Sequence, residues 1–151
     1  MQALVIRDAR EGDPPAIVAI QSASPNAAHW PESYYGNALN DPRRLLLVAE
    51  QGQSEILGFL VASVAIKEWE LENIAVTPQA QRAGIGRALM MALIDRARQA
   101  NATEIRQEIR ASNKAAQKLG LSVGFIQEGR RRDYYRDPVE EALLFKHLLG
   151  R

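Results

Sequence analysis

The sequence predicts an α/β (or α+β) fold with a mixed central sheet of about six to seven strands, flanked by about four helices. Apolar runs of strand length dominate the first half of the chain, and a long amphipathic pattern then follows a glycine-rich turn. Two short apolar runs close the chain. With 151 residues, of which 46% are hydrophobic and 25% charged, the chain can bury one core. We therefore expect a single domain over residues 1–151.

The first part of the chain predicts one strand and two helices. Leu4–Ile6 is a short apolar strand, and Asp13 precedes a helix that begins at Pro14-Pro15. We expect the Asp13 side chain to cap this helix. The helix should bury Ala16, Ile17, Ala19 and Ile20. Trp30–Tyr35 begins a second short helix, and its three aromatic side chains predict either core packing or one wall of an acceptor site.

The middle of the chain predicts three consecutive strands. Leu45–Glu50 and Ile56–Ile66 are apolar runs, joined by a hairpin turn at Gln51–Ser54. Trp69–Val76 is the third strand, and Pro78 ends it.

The second half alternates helices and strands. Arg87–Ala100 is a helix, Thr103–Arg110 a strand, Asn113–Leu119 a short helix, and Phe125–Glu128 and Glu141–Lys146 are the closing strands. The predicted buried residues of the long helix are Leu89, Ala92, Leu93 and Ala97.

The stretch Gln81–Arg87 predicts a phosphate-binding turn between a strand and a helix. The first N–H groups of a helix have no intrahelical partner and carry the positive end of the helix dipole, so they suit a phosphate. Gly84 and Gly86 lack a Cβ, which would let the backbone approach a ligand closely. Arg82 and Arg87 are expected to add charge-assisted contacts to a diphosphate.

Two well-known phosphate loops do not match this stretch. A Walker-type loop needs Lys-Ser or Lys-Thr, and a dinucleotide fingerprint needs a third glycine where this chain has Leu89. The remaining pattern, Gln-x-x-Gly-x-Gly after Asn73–Val76 and Pro78, resembles the acetyl-CoA pyrophosphate loop of the GNAT acetyltransferase superfamily. This resemblance implies the GNAT fold. It also implies that acetyl-CoA contacts Ile74, Ala75, Val76, Gln81, Arg82, Ala83, Gly84, Ile85, Gly86 and Arg87.

A second motif spans Glu108–Ala116. In GNAT enzymes, a strand that ends near Arg/Val-x-x-Asn and a following helix with alanines hold the pantetheine arm of the cofactor. The resemblance implies that Asn113 contacts the cofactor or an ordered water, and that Ala116 lets the helix lie close to it. From the residues alone, Ser112 or Asn113 caps the short helix.

Within this superfamily the sequence is most similar to the ribosomal-protein alanine N-acetyltransferases, which acetylate protein N termini. Trp30-Pro31-Glu32, Asn73–Val76, Glu108–Asn113 and Arg131–Tyr135 carry the similarity. It implies direct acetyl transfer from acetyl-CoA to an amine acceptor, either a protein N terminus or a small molecule, without a metal. It also implies that a backbone N–H, that of Ala75 or Val76, polarises the thioester carbonyl.

Alternating acidic residues supply candidates for the base that deprotonates the amine. Glu68, Glu70 and Glu72 alternate on one predicted strand, and Glu104 and Glu108 on the next, so one face of the sheet should open into a wet cleft. Resemblance to the alanine N-acetyltransferases implies Glu108 as the base. Resemblance to histone-type GNAT enzymes implies Glu70, and Glu72 is a further alternative.

The chain departs from the family at Gly120. Most relatives have a tyrosine seven residues after the asparagine, and its hydroxyl protonates the leaving thiolate. Counting seven from Asn113 gives Gly120, which resembles a residue just past the end of a helix. Water, the backbone, Tyr134 or Tyr135 would then replace the acid. Alternatively, the protein is a non-catalytic acyl-CoA sensor.

Composition narrows the classes of partner and location. The net charge of +1 favours neither a nucleic acid nor a membrane partner. The chain has no cysteine, which excludes disulfides, thiolate catalysis and cysteine-based metal sites. The N-terminal residues lack the layout of a signal peptide. We therefore expect a cytoplasmic protein, as a monomer or homodimer.

Overall fold

A computed structural model of the chain describes residues 3–136 and 138–150. Residues 1, 2, 137 and 151, which the predicted single domain includes, lie outside the described residues. The described residues form seven strands and four helices. The strands are β1 (Leu4–Asp8), β2 (Arg44–Gln51), β3 (Glu55–Ser63), β4 (Glu68–Val76), β5 (Glu104–Arg110), β6 (Ile126–Tyr135) and β7 (Glu140–Leu148). The helices are α1 (Pro14–Ser22), α2 (Glu32–Ala38), α3 (Ile85–Gln99) and α4 (Lys114–Ser122), with a 3₁₀ turn at Pro78–Ala80.

The strands form one mixed sheet in the order β1-β2-β3-β4-β5-β7-β6. Strands β4 and β5 pair in parallel, and the other neighbours pair antiparallel. A parallel pair needs a crossover, and α3 provides it. The predicted mixed α/β fold is confirmed.

Two hydrophobic cores cover opposite faces of the sheet. The larger core lies between the sheet and α3, with Leu89 and Leu93 fully buried against Leu60 and Ile105, and α4 packs against it. The smaller core lies beneath α1 and α2 and consists of Ile17, Ile20, Tyr35, Ala38, Leu46, Val48, Phe59, Val61 and Ala75. Each buried Leu or Ile contributes about 1.5–3 kcal/mol to folding.

A β-bulge at Glu72 changes which side chains of β4 face which core. The register passes from Ala62 opposite Leu71 to Val61 opposite Asn73, so Glu72 is the extra residue. Leu71 packs in the larger core, whereas Asn73 hydrogen-bonds Tyr35 on the α2 side. Bulges re-aim side chains in this way, often beside active sites.

The hairpin between β2 and β3 is confirmed, but the predicted end of β3 is wrong. Gly52 and Ser54 in the turn have positive φ values of 63° and 69°. Strand β3 ends at Ser63, whereas the apolar run predicted Ile66. Ile66 is 87% exposed, because it lies in the tight connection to β4 rather than opposite a neighbouring strand.

Two predictions for α1 are wrong in detail. Asp13 stands before the helix, but its carboxylate accepts hydrogen bonds from the guanidinium of Arg7 at 2.8 Å and the N–H of Arg10 at 2.8 Å, and it caps no helical N–H. The charged guanidinium is the stronger partner. Ala19 is exposed, whereas Ile17 and Ile20 are buried as predicted.

Helix α3 begins at Ile85, two residues before the predicted start. Its buried face includes Leu89, Leu93 and Ala97 as predicted, while Ala92 is only partly buried. The face extends to Met90 and Ile94 as well, because the helix packs against a wide sheet rather than a single strand.

Helix α4 continues past the predicted end, so Gly120 lies inside it and not after it. The residue that ends the helix is Gly124, which has a φ of +105°. Its N–H bonds the carbonyl of Leu121, and the next N–H, of Phe125, bonds the carbonyl of Gly120. This pair of hydrogen bonds is the Schellman motif.

Candidate active site

Strands β4 and β5 separate and leave a gap in the sheet. Their parallel pairing runs from Glu68 opposite Glu104 to Leu71 opposite Gln107. Beyond that point β4 continues to Val76 beside β3, and β5 continues to Arg110 beside β7. The gap therefore has a closed end at Leu71 and Gln107.

A cavity of about 1080 Å³ occupies this region. The residues proposed from the sequence as the site line it, with the exception of Ala83. They are Glu70, Glu72, Ile74, Ala75, Val76, Gln81, Arg82, Gly84, Ile85, Gly86, Arg87, Glu108, Asn113 and Ala116. Residues that are far apart in the chain thus converge on one space.

The turn before α3 has the backbone shape of an anion-binding loop. Arg82 and Gly84 both have positive φ values, 68° and 82°. Gly84 stands at the N-cap, and no side chain caps the helix. The Gln81 side chain donates to the carbonyl of Val76 at 3.2 Å, which ties the turn to the end of β4. The first N–H groups of α3 therefore face the cavity without a side-chain acceptor.

The two glycines serve different purposes. Gly84 is needed for its left-handed backbone, since an added Cβ would meet nothing within 4 Å. A Cβ on Gly86 would lie 3.2 Å from the Leu119 side chain, so this glycine lets α3 pack closely on α4. The Arg87 guanidinium donates to the Ser122 carbonyl at 3.0 Å and thereby also joins the two helices.

Asn113 caps α4, as one of the two interpretations predicted. Its side-chain oxygen accepts a hydrogen bond from the N–H of Ala116 at 3.1 Å. Ser112 has another role, because its N–H and hydroxyl both donate to the Glu140 carboxylate. Asn113 and Ala116 lie at the cavity wall on the α4 side.

Acidic and aromatic side chains line the opposite face of the gap. The pKa of Glu70 is raised, first by desolvation between the cavity walls and then by the charges of Glu108 and Glu72. Glu108 lies 3.4 Å from the guanidinium of Arg131. Its interaction with the hydroxyl of Tyr134 is the main cause of a raised pKa for that phenol. An amine that enters this face meets a concentration of negative charge.

The other predicted acidic residues are held by cations. Glu72 accepts a hydrogen bond from the Tyr34 hydroxyl at 2.8 Å and lies 3.2 Å from Arg44. Arg106 pairs with the predicted acidic residues on both strands, Glu104 at 2.5 Å and Glu68 at 3.6 Å. Glu70 and Glu108 interact with one another, and Glu108 is itself paired with Arg131.

The two tyrosines of β6 lie on this acidic face. Tyr135 stacks beneath Arg110, whose guanidinium carbon is 4.3 Å from the ring centre, and burial raises its pKa to about 12. The sequence predicted β6 to end at Glu128, but bulges carry it to Tyr135. Tyr134 and Tyr135 thus lie on the face of the sheet that carries Glu108 and Arg110, and not on the α4 side.

The aromatic segment before β2 was predicted either to pack in the core or to form one wall of an acceptor site. Its residues divide between the core and the cavity wall. Tyr35 is fully buried and hydrogen-bonds Asn73 and Gln21, so it belongs to the core. Trp30 lines the cavity. Asn73 also bonds the backbone of Ala28, and this holds the loop of residues 24–28 against the cavity.

Sequence reasoning missed Gln107. This glutamine lies between Ile105 and Ile109 on the α4 face of β5 and is 7% exposed. Its Oε1 has no hydrogen-bond partner among the described residues. It lies 3.7 Å from the position that a Cβ on Gly120 would take. A polar residue between two isoleucines on the apolar face of a strand was the signal available in the sequence.

The anion-binding turn lies on one face of a split sheet, and carboxylates lie on the other. This arrangement is typical of a transferase that brings two substrates together. The family model for the acetyltransferase (GNAT) family matches residues 8–125. The chain belongs to this family and is an acetyl-CoA-dependent N-acetyltransferase.

Two relatives show how similar the chain is to characterised members. It is 36% identical to the [ribosomal protein bS18]-alanine N-acetyltransferase of Escherichia coli K12 over 134 residues, which is 87% of this chain and 88% of that protein. It is 36% identical over 115 residues to the N-alpha-acetyltransferase RimI of Mycobacterium tuberculosis, covering 71% of this chain and 68% of that protein.

Solved structures agree with this relationship. The crystal structure of the ribosomal-protein-S18-alanine N-acetyltransferase from Escherichia coli has a TM-score of 0.87 and 31% identity, and covers 99% of this chain and 96% of that one. The yncA protein of Salmonella typhimurium, solved with acetyl-CoA, has a TM-score of 0.82 at 21% identity, with 99% and 95% covered. The second similarity concerns the fold alone. The described residues include no helix long and apolar enough to cross a membrane.

Proposed function

We propose that this protein transfers the acetyl group of acetyl-CoA to the N-terminal amine of a protein, with an N-terminal alanine as the first candidate. The observation that carries the proposal is the gap between β4 and β5, which joins an anion-binding turn to an acidic face. The bS18-alanine N-acetyltransferases, to which the chain is 36% identical, supply the acceptor class. Newly made ribosomal proteins are in the cytoplasm, and we propose that this enzyme acts there.

The cofactor would lie on the α3 and α4 side of the sheet. The turn at Gln81–Arg87 would receive the diphosphate, and Asn113 and Ala116 would border the pantetheine arm. From Val76 to Leu71 the gap runs for five residues of β4, about 17 Å at the usual rise of a strand. The thioester would lie within this gap, beside the part of β4 that ends at Val76.

A backbone N–H of β4 would polarise the thioester carbonyl. Thr77 donates its N–H to Leu57 of the neighbouring segment. Because N–H groups alternate in direction along a strand, Ala75 also points to β3, whereas Val76 points to the gap. The Val76 carbonyl, which lies on the same side, accepts from Gln81 rather than from β3. Of the two expected donors we therefore propose Val76.

Glu108 would take the proton of the acceptor amine, directly or through a water, with Glu70 beside it. An amine reaches the site mostly protonated at neutral pH, so it needs both attraction and a base. The Glu70 and Glu108 carboxylates supply the attraction. Glu72 is held by Tyr34 and Arg44. Glu108 is likewise paired with Tyr134 and Arg131, so its preference rests on the similarity to the alanine N-acetyltransferases.

The test is thiol release from acetyl-CoA with three groups of acceptors: peptides with N-terminal alanine, the same peptides with a blocked N terminus, and small amines such as spermidine. We expect turnover only with free N termini, and fastest with alanine. Turnover with small amines alone would support the other candidate acceptor. Binding of acetyl-CoA without any thiol release would mean that the protein is a sensor, and would overturn the proposal.

A further inference from the structure

The guanidinium of Arg110 joins β5 to the ends of β6 and β7. Arg110 is the last residue of β5 and lies on the same face of that strand as Glu108. Its Nη1 donates to the Glu140 carboxylate at 3.1 Å, and its Nη2 donates to the carbonyl of Arg136 at 3.2 Å. The guanidinium also lies over the ring of Tyr135, with 4.3 Å between Cζ and the ring centre. One side chain thus contacts the last residue of β6, the first residue of β7 and the segment between them.

Strand β6 departs from regular pairing just before its end. Between Arg131, which is opposite Ala142, and Tyr135, which is opposite Glu140, β6 has three residues where β7 has one. Tyr134 is the last of the three, so regular pairing with β7 does not fix its position. The pair that follows it, Tyr135 with Glu140, is the one that the guanidinium contacts on both sides.

Both tyrosines border the space in which the proposed function places the acceptor amine. Tyr134 and Tyr135 line the cavity together with Glu108. The Tyr134 hydroxyl interacts with the Glu108 carboxylate, and the two tyrosine rings meet edge to face with 5.2 Å between their centres. Because packed rings move together, a shift of Tyr135 would be passed on to Tyr134 and to the group that faces the proposed base.

The start of α4 has contacts of its own that do not involve the guanidinium. The Glu140 carboxylate also accepts hydrogen bonds from the N–H and the hydroxyl of Ser112, at 2.9 and 3.0 Å. Asn113, the next residue, accepts from the N–H of Ala116 and so caps the helix. These contacts remain when the guanidinium is removed. Its loss should therefore affect the tyrosine face of the sheet more than the cofactor face.

We propose that Arg110 is a positioning residue for the acceptor, which acts by holding Tyr135, and through it Tyr134, on the face of the gap that carries Glu108. This inference rests on the proposed function. The guanidinium exchanges no proton in the reaction, and its effect is on the shape of the acceptor wall. Lysine should not replace it, because an ammonium lacks the planar fork that bonds two acceptors and lies over a ring at the same time.

The experiment measures steady-state kinetics of thiol release from acetyl-CoA with a peptide that begins with alanine. The variants are Arg110→Gln and Arg110→Lys, of which the second keeps the charge. Both should raise the KM for the peptide roughly tenfold, about 1.4 kcal/mol, and leave the KM for acetyl-CoA nearly unchanged. Arg130→Lys is the matched control, because Arg130 pairs with Glu141 across the same two strands outside the cavity.

A double-mutant cycle separates positioning from a general structural effect. Tyr135→Leu removes the ring over which the guanidinium lies. If Arg110 acts through that ring, Arg110→Lys should raise the KM for the peptide much less in the Tyr135→Leu background than in the wild type. Melting temperatures of all variants record a structural effect, which would act on both KM values alike.

The results that would overturn the inference can be told apart. An unchanged KM for the peptide in folded Arg110→Lys, equal changes in both KM values, or additive effects in the cycle would each show that Arg110 does not position the acceptor through Tyr135. Loss of folding in Arg110→Lys would show a purely structural role. A wild type that releases no thiol with the peptide would overturn the proposed function, and this inference with it.

Discussion

The Asn73 amide forms two hydrogen bonds with the backbone of Ala28, donating to its carbonyl at 2.9 Å and accepting from its N–H at 3.1 Å. Asn73 is 5% exposed, so both bonds are shielded from water. They attach the loop of residues 24–28, which lines the cavity, to the strand that borders the gap. One side chain of β4 thus helps to hold the loop, together with the hydrogen bond from the Ser24 hydroxyl to the carbonyl of Ile20.

We predict that Asn73→Ala lowers the free energy of unfolding by about 1–3 kcal/mol, because backbone groups of the loop lose their partners. It should also raise the KM for the amine more than the KM for acetyl-CoA, since we expect the acceptor beside this loop. Denaturant unfolding and steady-state kinetics measure the two effects. Asn40→Ala, at an exposed position after α2, is the control. Equal changes in both KM values would argue against a role of this loop at the acceptor.

We predict that Gly84→Val raises the Kd for acetyl-CoA at least tenfold, about 1.4 kcal/mol. Gly84 has a φ of +82°, which a β-branched residue adopts only with strain, so the turn must change shape. Calorimetric titration of the folded variant tests this. Gly36→Val is the matched control, because Gly36 lies in α2 with open space around it and no positive φ. Normal binding by Gly84→Val would refute the assignment of the turn.

We predict that Glu108→Gln lowers kcat by about 10²–10⁴-fold while acetyl-CoA binding changes little, since the base acts on the amine. Glu104→Gln lies on the same strand outside the cavity and is the control. A fully active Glu108→Gln together with an inactive Glu70→Gln would transfer the role of base to β4.

We predict that Glu70→Gln makes the protein slightly more stable near neutral pH. The pKa of Glu70 is raised above its ordinary value of 4.5, so the folded state holds the proton more tightly than the unfolded state. Its contribution to stability is therefore greatest below pH 4.5 and is lost as the pH rises through the folded pKa. Melting temperatures of the variant and wild type should converge in acid and separate near neutrality. A variant that is less stable at neutral pH would contradict the direction of the shift.

We predict that Gly120→Ala stabilises the protein by up to about 1 kcal/mol, because Gly120 lies inside α4 and a Cβ there makes ordinary contacts. Gly120→Tyr would additionally have to displace the Gln107 amide. The pair Gly120→Tyr with Gln107→Leu should therefore be more stable than Gly120→Tyr alone. Thermal melts measure both effects; a loss of stability in Gly120→Ala would mean that the helix does not include this residue in solution.

The helices and strands could be predicted because their signals are local. Periodic apolar residues and the turn at Gln51–Ser54 located most elements within a few residues. The turn at Gln81–Arg87 was evident from its glycines and the apolar run before it. The end of α4 was misplaced because two glycines compete for it, and only the hydrogen bonds of Gly124 show which one ends the helix.

Features that depend on pairing between distant segments could not be predicted in this way. The bulge at Glu72 depends on how β4 aligns with β3, and it decides that Asn73 faces α2. Asp13 accepts a hydrogen bond from Arg7 of β1 rather than from a helical N–H, because tertiary packing places β1 beside the start of α1. The unpartnered oxygen of Gln107 becomes evident only when α4 lies over β5.

The separation of β4 and β5 beyond Leu71 and Gln107 has a kinetic consequence. A split that connects two faces of a sheet gives each substrate its own entrance, so neither has to leave before the other arrives. Initial rates should then follow a sequential scheme, with intersecting reciprocal plots and no acetylated enzyme as a covalent intermediate. Coenzyme A should compete with acetyl-CoA alone, and an acetylated peptide should compete with the free peptide alone. A compound that links coenzyme A to a peptide would have to span the sheet, and its linker would lie between the two strands.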